Sequence, residues 1–107
     1  MKNFDLTNIT PFRAVHVGEY IIDELVARNM SQKELSLLTG IAAPIINDII
    51  KTKRNITAEQ SILIGRALNI SDDFFYEIQK KYDLDKTRLS KKVINQSVLL
   101  EKRIAIQ

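Results

Sequence analysis

Few side chains in this sequence are of types that could do chemistry, and their spacing keeps them apart. His16 is the single histidine, with Glu19 three residues on, so a metal site would have to draw its other ligands from distant segments and without any cysteine. A residue on the surface or capping the entry to a helix is the plainer reading of His16, and no metal is expected. Asp23 with Glu24, and Asp72 with Asp73, are sequence neighbours that diverge around a helix axis, so neither pair converges as acid–base carboxylates must. No nucleophile–base pair and no phosphate-cradling glycine loop is present. The chain is therefore expected not to be an enzyme and to need no cofactor. What remains is binding chemistry. Lys51, Lys53 and Arg54 form a short basic loop of the kind that meets a polyanion.

Charge elsewhere follows the same lean. The 107 residues carry a net charge of +3, with four basic and six acidic side chains in residues 1–50 against twelve and seven in 51–107. A basic second half favours an anionic partner, although lysine-rich solvated faces are common. At 45% hydrophobic and 27% charged residues, the chain suits one compact domain with an appendage. The absence of cysteine excludes a disulfide framework, a zinc ribbon and a thiol nucleophile together, and makes the cytoplasm the expected compartment. No stretch approaches the roughly 20 apolar residues of a membrane span, and residues 1–10 carry Asp5 and polar groups in place of a signal-peptide core, so no membrane partner is expected. Three glycines and two prolines are too few for a turn-rich β protein, which leaves an all-α chain.

The elements that must position the basic loop can be placed from local signals. Ile21, Ile22, Leu25 and Val26 recur at helical spacing between Glu19 and Arg28 and give a first helix. Ser31 with Glu34 forms a capping box, and Leu35, Leu37 and Leu38 carry the apolar pattern through a short second helix ending near Thr39. Gly40 sits where a chain leaving a helix adopts a left-handed conformation. A third helix starts at about Ala42, tolerates Pro44 in its first turn, and carries Ile45, Ile46, Ile49 and Ile50 at helical spacing. Thr57 with Gln60 caps a fourth helix carrying Leu63, Ile64, Ala67 and Leu68. Ser71, Asp72 and Asp73 open a fifth, whose buried face would be Phe74, Phe75, Ile78 and Tyr82, closing the domain around Leu84. Residues 85–107 are less periodic, with Lys86, Arg88, Lys91 and Lys92 followed by aliphatics too numerous for a purely solvating tail.

Two short helices joined across a glycine turn, the second followed by a basic loop, make a helix-turn-helix, whose second helix can enter a DNA major groove. Ser36 is small where the helices cross, Gly40 lies at the turn and Ile46 is apolar where the second helix rests on the core.

On these residues the chain from Thr10 to Leu84 resembles the HigA antitoxins, Xre-type helix-turn-helix proteins of bacterial toxin–antitoxin modules. The resemblance rests on His16-Val17-Gly18-Glu19, where the family usually has His-Pro-Gly-Glu, and on Met30-Ser31-Gln32-Lys33-Glu34-Leu35. It continues through Ile46-Asn47-Asp48-Ile49, Lys53-Arg54-Asn55-Ile56-Thr57 and Lys81-Tyr82-Asp83-Leu84. Val17 in place of proline suggests a less rigid entry to the first helix. The resemblance implies a five-helix domain of the Xre and lambda-repressor type over residues 18–84, between an N-terminal segment 1–17 and a basic, aliphatic extension 85–107. It also implies a homodimer that neutralises a RelE-like or HigB-like, ribosome-dependent mRNA-cleaving toxin and represses its own operon on double-stranded operator DNA.

Carried onto this sequence, the resemblance puts Ser31 and Gln32 at the start of the second helix beside a DNA phosphate, where amides can donate to an anion. Lys51, Lys53 and Arg54 would add phosphate contacts that release counterions without reading sequence. The groove-facing positions of the third helix would be Ala42, Ala43, Pro44, Asn47 and Asp48. Here the sequence departs from its relatives, which commonly carry Ser, Arg or Gln at the first positions, whereas Ala-Ala-Pro-Ile offers only apolar surface and thymine methyl contacts. Asn47 can pair with adenine or serve structure, and Asp48 can accept from a cytosine amino group or from a neighbouring residue. A protein-interaction antitoxin that neutralises its toxin with weak or no specific DNA binding is therefore the alternative function. For dimer or toxin contact the candidates are Phe74, Phe75 and Tyr82 of the fifth helix, and Val93, Val98, Leu99 and Leu100 of the extension, which runs on through Ile104 and Ile106; the segment Phe4 to Phe12 is a further toxin candidate.

Overall fold

The computed structural model describes residues 13–106, and all regular structure among them is helical. Six helices follow one another: α1 Val17–Ala27, α2 Gln32–Thr39, α3 Ala43–Ile50, α4 Ala58–Ala67, α5 Phe74–Arg88 and α6 Lys91–Ile106. The chain forms two compact units, residues 15–82 and, among the described residues, 13–14 with 83–106.

In the first unit the helices start where local chemistry supplies acceptors for their free amides. Ser31 Oγ accepts from the Glu34 amide at 3.0 Å while the Ser31 amide donates to Glu34 Oε1 at 2.9 Å, and Thr57 and Gln60 repeat this reciprocal cap on α4. His16 caps α1, its Nδ1 accepting from the Gly18 amide at 2.9 Å. It is buried, with its ring edge-on to Tyr82 at 4.8 Å, so of the two readings of His16 the cap holds and the surface position does not.

The helix ends share a device that the sequence reading missed. Asn29, Thr52 and Asn69 have φ of 52°, 62° and 57° and follow α1, α3 and α4. At each, that residue's amide and the next one reach back to carbonyls in the last turn, as in Asn29 to Val26 at 3.1 Å with Met30 to Leu25 at 2.9 Å, the double closure of a Schellman motif. Gly40 ends α2 with φ 76°, as its lack of a Cβ allows.

Val17, Ile21, Leu25, Leu35, Ile41, Ile46, Ile49, Ile56, Ile64, Leu68 and Phe75 form one buried cluster. Burying an aliphatic side chain of this size contributes about 1.5–3 kcal/mol, so this cluster is what holds the unit. Helix α1 packs on α3, and α2 on both α3 and α4. Gly18 sets the first of these approaches: a Cβ there would lie 2.2 Å from the Ile49 carbonyl oxygen. Arg28 ties the ends of α1 and α4, donating to Glu24 within its own turn and through Nη2 to the Leu68 carbonyl at 3.0 Å.

Several expectations need correction. The fifth helix runs on to Arg88, and the chain has six helices among the described residues where five were expected, because the less periodic extension holds a sixth helix. Its aliphatics are spread around the axis instead of forming one stripe, because Ile94, Val98, Leu99, Leu100 and Ile104 are all exposed and no single face had to be apolar. Its start is signalled by Ser90, whose Oγ accepts from the Val93 amide at 3.3 Å. Leu37 and Leu38 do not continue the buried face of α2, being 76% and 61% exposed; only Leu35 of that helix is buried. Val26 of α1 is likewise exposed. Phe74 is exposed as well, leaving Phe75 as the buried aromatic of α5.

Candidate nucleic-acid interface

Helices α2 and α3 with the turn between them present the outward surface on which most of the expected binding residues sit. The turn is fixed by side chains: Ser36 Oγ donates to the Ile41 carbonyl at 2.6 Å, and Thr39 Oγ1 donates to the Leu35 carbonyl and accepts from the Ile41 amide. Ile46 and Ile49 anchor α3 in the core, with Ile50 partly buried beside them, which turns the opposite side of the helix outward.

Ser31 stands exposed at the head of α2 with its hydroxyl engaged as the cap acceptor. Gln32 follows, half-buried, and Asn47 Nδ2 donates to its Oε1 at 3.0 Å. The structure thus gives Asn47 a structural partner and engages the carbonyl end of the Gln32 amide.

Helix α3 begins at Ala43, with Ala42 in the capping position making no side-chain hydrogen bond. Ala42, Ala43 and Pro44 are all exposed. Asp48 Oδ2 lies 3.7 Å from Arg54 Nη2, so the one acidic group on this face takes a neighbour as its partner. The pair is half-exposed and weak on the scale of surface ion pairs. Lys51 and Lys53 are exposed on the same loop.

One residue that positions this loop escaped sequence reading. Gln79 of α5 is 3% exposed, and its Oε1 accepts from the Ile56 amide at 3.0 Å, fastening the far end of the basic loop to the core. The contact spans 23 residues, so no local pattern announced it. A glutamine on the apolar side of a helix was the available signal. Ser61, also buried, plays a similar part after α4: its hydroxyl donates to the Asp72 carbonyl at 2.9 Å and accepts from the Tyr76 amide at 2.9 Å.

The candidates for contact with a second protein divide. Phe75 is fully buried in the core and cannot reach another molecule. Phe74 is exposed, Tyr82 half-buried against His16 and Val93 half-buried, while Val98, Leu99 and Leu100 are exposed along α6. The segment Phe4 to Phe12 lies outside the described residues. No cluster of His, Asp or Glu suited to a metal occurs among the described residues, and no helix there is long and apolar enough to cross a membrane.

Comparison with known proteins agrees with this geometry. The Helix-turn-helix family matches residues 21–75. No curated protein matches the chain. Among solved structures, PA4674 of Pseudomonas aeruginosa in complex with its 28-bp operator DNA is 33% identical, covering 70% of this chain and 84% of its own with a TM-score of 0.66. The antitoxin HigA of Pseudomonas aeruginosa with the higBA promoter is 32% identical over 71% of this chain and 84% of its own, at a TM-score of 0.67. An addiction module antidote protein of a HigA family from Coxiella burnetii is 23% identical, covers 85% of this chain and 95% of its own, and at a TM-score of 0.70 shares the fold. With more than half its length matched to the helix-turn-helix family and its outward face built on α2 and α3, the chain belongs to the Xre-type helix-turn-helix proteins of the HigA antitoxin family.

Proposed function

We propose that this protein is the antitoxin of a type II toxin–antitoxin module, acting in the cytoplasm as a homodimer that binds operator DNA and neutralises a RelE-like or HigB-like mRNA-cleaving toxin. The observation that carries the DNA half is the exposure of Ala42, Ala43 and Pro44 beside Lys51 and Lys53 on a helix-turn-helix, in a chain whose relatives were solved on operator DNA. In such a dimer the two α3 helices enter successive major grooves about 34 Å apart. Ser31, Gln32, Lys51, Lys53 and Arg54 contact phosphates, and α3 faces the bases. The domain that does this spans 18–84, with 85–107 as the extension.

The toxin and the second subunit are assigned to the exposed aliphatics of α6, Val98, Leu99 and Leu100, with Val93 and Phe74. An apolar surface of that kind on a soluble chain is what a partner covers.

Fluorescence anisotropy with a labelled duplex taken from upstream of the protein's own gene tests the reading. Binding should be at least tenfold tighter than to a scrambled duplex and should weaken steeply with salt. Equal affinity for the two duplexes would refute operator recognition. A second reading, an antitoxin that binds its toxin but reads DNA poorly, is favoured by the lack of a free guanidinium or amide at the first turn of α3. Co-purification with the neighbouring gene product, together with unchanged promoter output on deletion, would select it.

A further inference from the structure

We propose that the recognition face reads the methyl groups of thymine, so that the half-site contacted by α3 is defined by T·A pairs and not by guanine. The inference rests on the operator-binding reading above and specifies its ligand.

The first residues of a recognition helix are those that approach base edges. Here they are Ala42, Ala43 and Pro44, exposed, apolar and without a side-chain donor or acceptor. Each of the two polar residues that follow has one partner within the protein. Asn47 spends one amide hydrogen on Gln32 and keeps the oxygen and second hydrogen that can pair with the adenine of a T·A pair, and Asp48 Oδ2 lies 3.7 Å from Arg54 Nη2. Reading guanine takes a pair of donors aimed at O6 and N7, and the side chains of Ala42, Ala43 and Pro44 at the start of α3 supply none. Cytosine offers an amino donor, and the carboxylate that would accept it faces Arg54. Of the four bases, thymine alone presents a hydrocarbon to the major groove, its C5-methyl, and an apolar helix start complements it.

Burying one such methyl is worth about 0.8 kcal/mol, which converts to about fourfold in affinity per contacted thymine. The test uses the full chain to select duplexes from a random pool and then replaces each selected thymine by deoxyuridine, which keeps base pairing and removes only the methyl. Affinity is expected to fall about fourfold at each contacted position. It should recover in part where a G·C pair carrying 5-methylcytosine replaces G·C, because that base places a methyl in the same groove. Ala43→Gly and Ala42→Gly, with folding checked by circular dichroism, should each shrink the thymine-to-uracil ratio. Equal affinity for thymine and uracil duplexes overturns methyl reading while operator binding stands. A ratio unchanged by both glycine variants assigns the effect to duplex shape and likewise overturns it. Failure to enrich any sequence overturns both this inference and the operator-binding reading.

Discussion

Thr52 holds a φ of 62° at the position closing α3, a conformation that glycine adopts freely and a β-branched residue rarely does. Left-handed backbone costs a residue with a Cβ about 1–2 kcal/mol. Thr52→Gly should therefore raise stability by about 1 kcal/mol, the flexibility gained by the unfolded chain offsetting part of the relief. Urea unfolding would read this as a higher midpoint with unchanged slope, and a lower midpoint would show that the threonine side chain contributes more than the backbone loses. At the same scale, Asp48 is the acidic intruder on a cationic face. Asp48→Ala removes a charge that repels phosphate and releases Arg54, so DNA affinity should rise several-fold and the slope of log K against log salt should steepen by about one phosphate contact. Anisotropy across a salt series measures both; weaker binding in the variant would mean that Asp48 accepts from a base.

Between helices, the decisive contacts are those that join elements distant in sequence. Gln79→Ala would leave the buried Ile56 amide without its acceptor, at a cost of about 1–3 kcal/mol, and would loosen the loop carrying Lys51, Lys53 and Arg54. Thermal unfolding should show the loss, and DNA binding below the melting transition should weaken with it. Intact binding by a destabilised variant would confine Gln79 to stability. Contacts of this kind also mark where sequence reading stopped. The capping boxes at Ser31 and Thr57 and the turn at Gly40 involve residues within a few positions of each other, and their side-chain chemistry alone dictates them. Asn29 and Asn69 end helices in the left-handed conformation that asparagine tolerates, a weaker signal than glycine, and Thr52 gives no signal at all. Leu37 and Leu38 were misplaced because a three-leucine pattern does not say which leucines face inward; only the positions of α3 and α4 decide that. On the candidate interface, the surface positions of Ala42, Ala43, Pro44, Lys51 and Lys53 were legible, whereas the pairings Asn47 with Gln32 and Asp48 with Arg54 appear only once α2, α3 and the loop are folded together.

At the scale of the whole chain, every member of the buried cluster lies between Val17 and Phe75. A chain ending at Leu89, without α6, should accordingly keep a cooperative thermal transition in circular dichroism, and on the proposed assignment of the subunit contact to α6 it should sediment as a monomer where the full chain sediments as a dimer. A dimer that persists would move the subunit contact to the remaining residues, Phe74 foremost. The bridge between Gln32 and Asn47 has a wider effect in the proposed complex, where it would join the helix set against the sugar–phosphate strand to the helix set against the bases. A strand gripping the Gln32 amide there would set the roll of α3 about its axis, so that anchoring and discrimination would become a single mechanical event, and slack in the anchor would blur what the probe can tell apart.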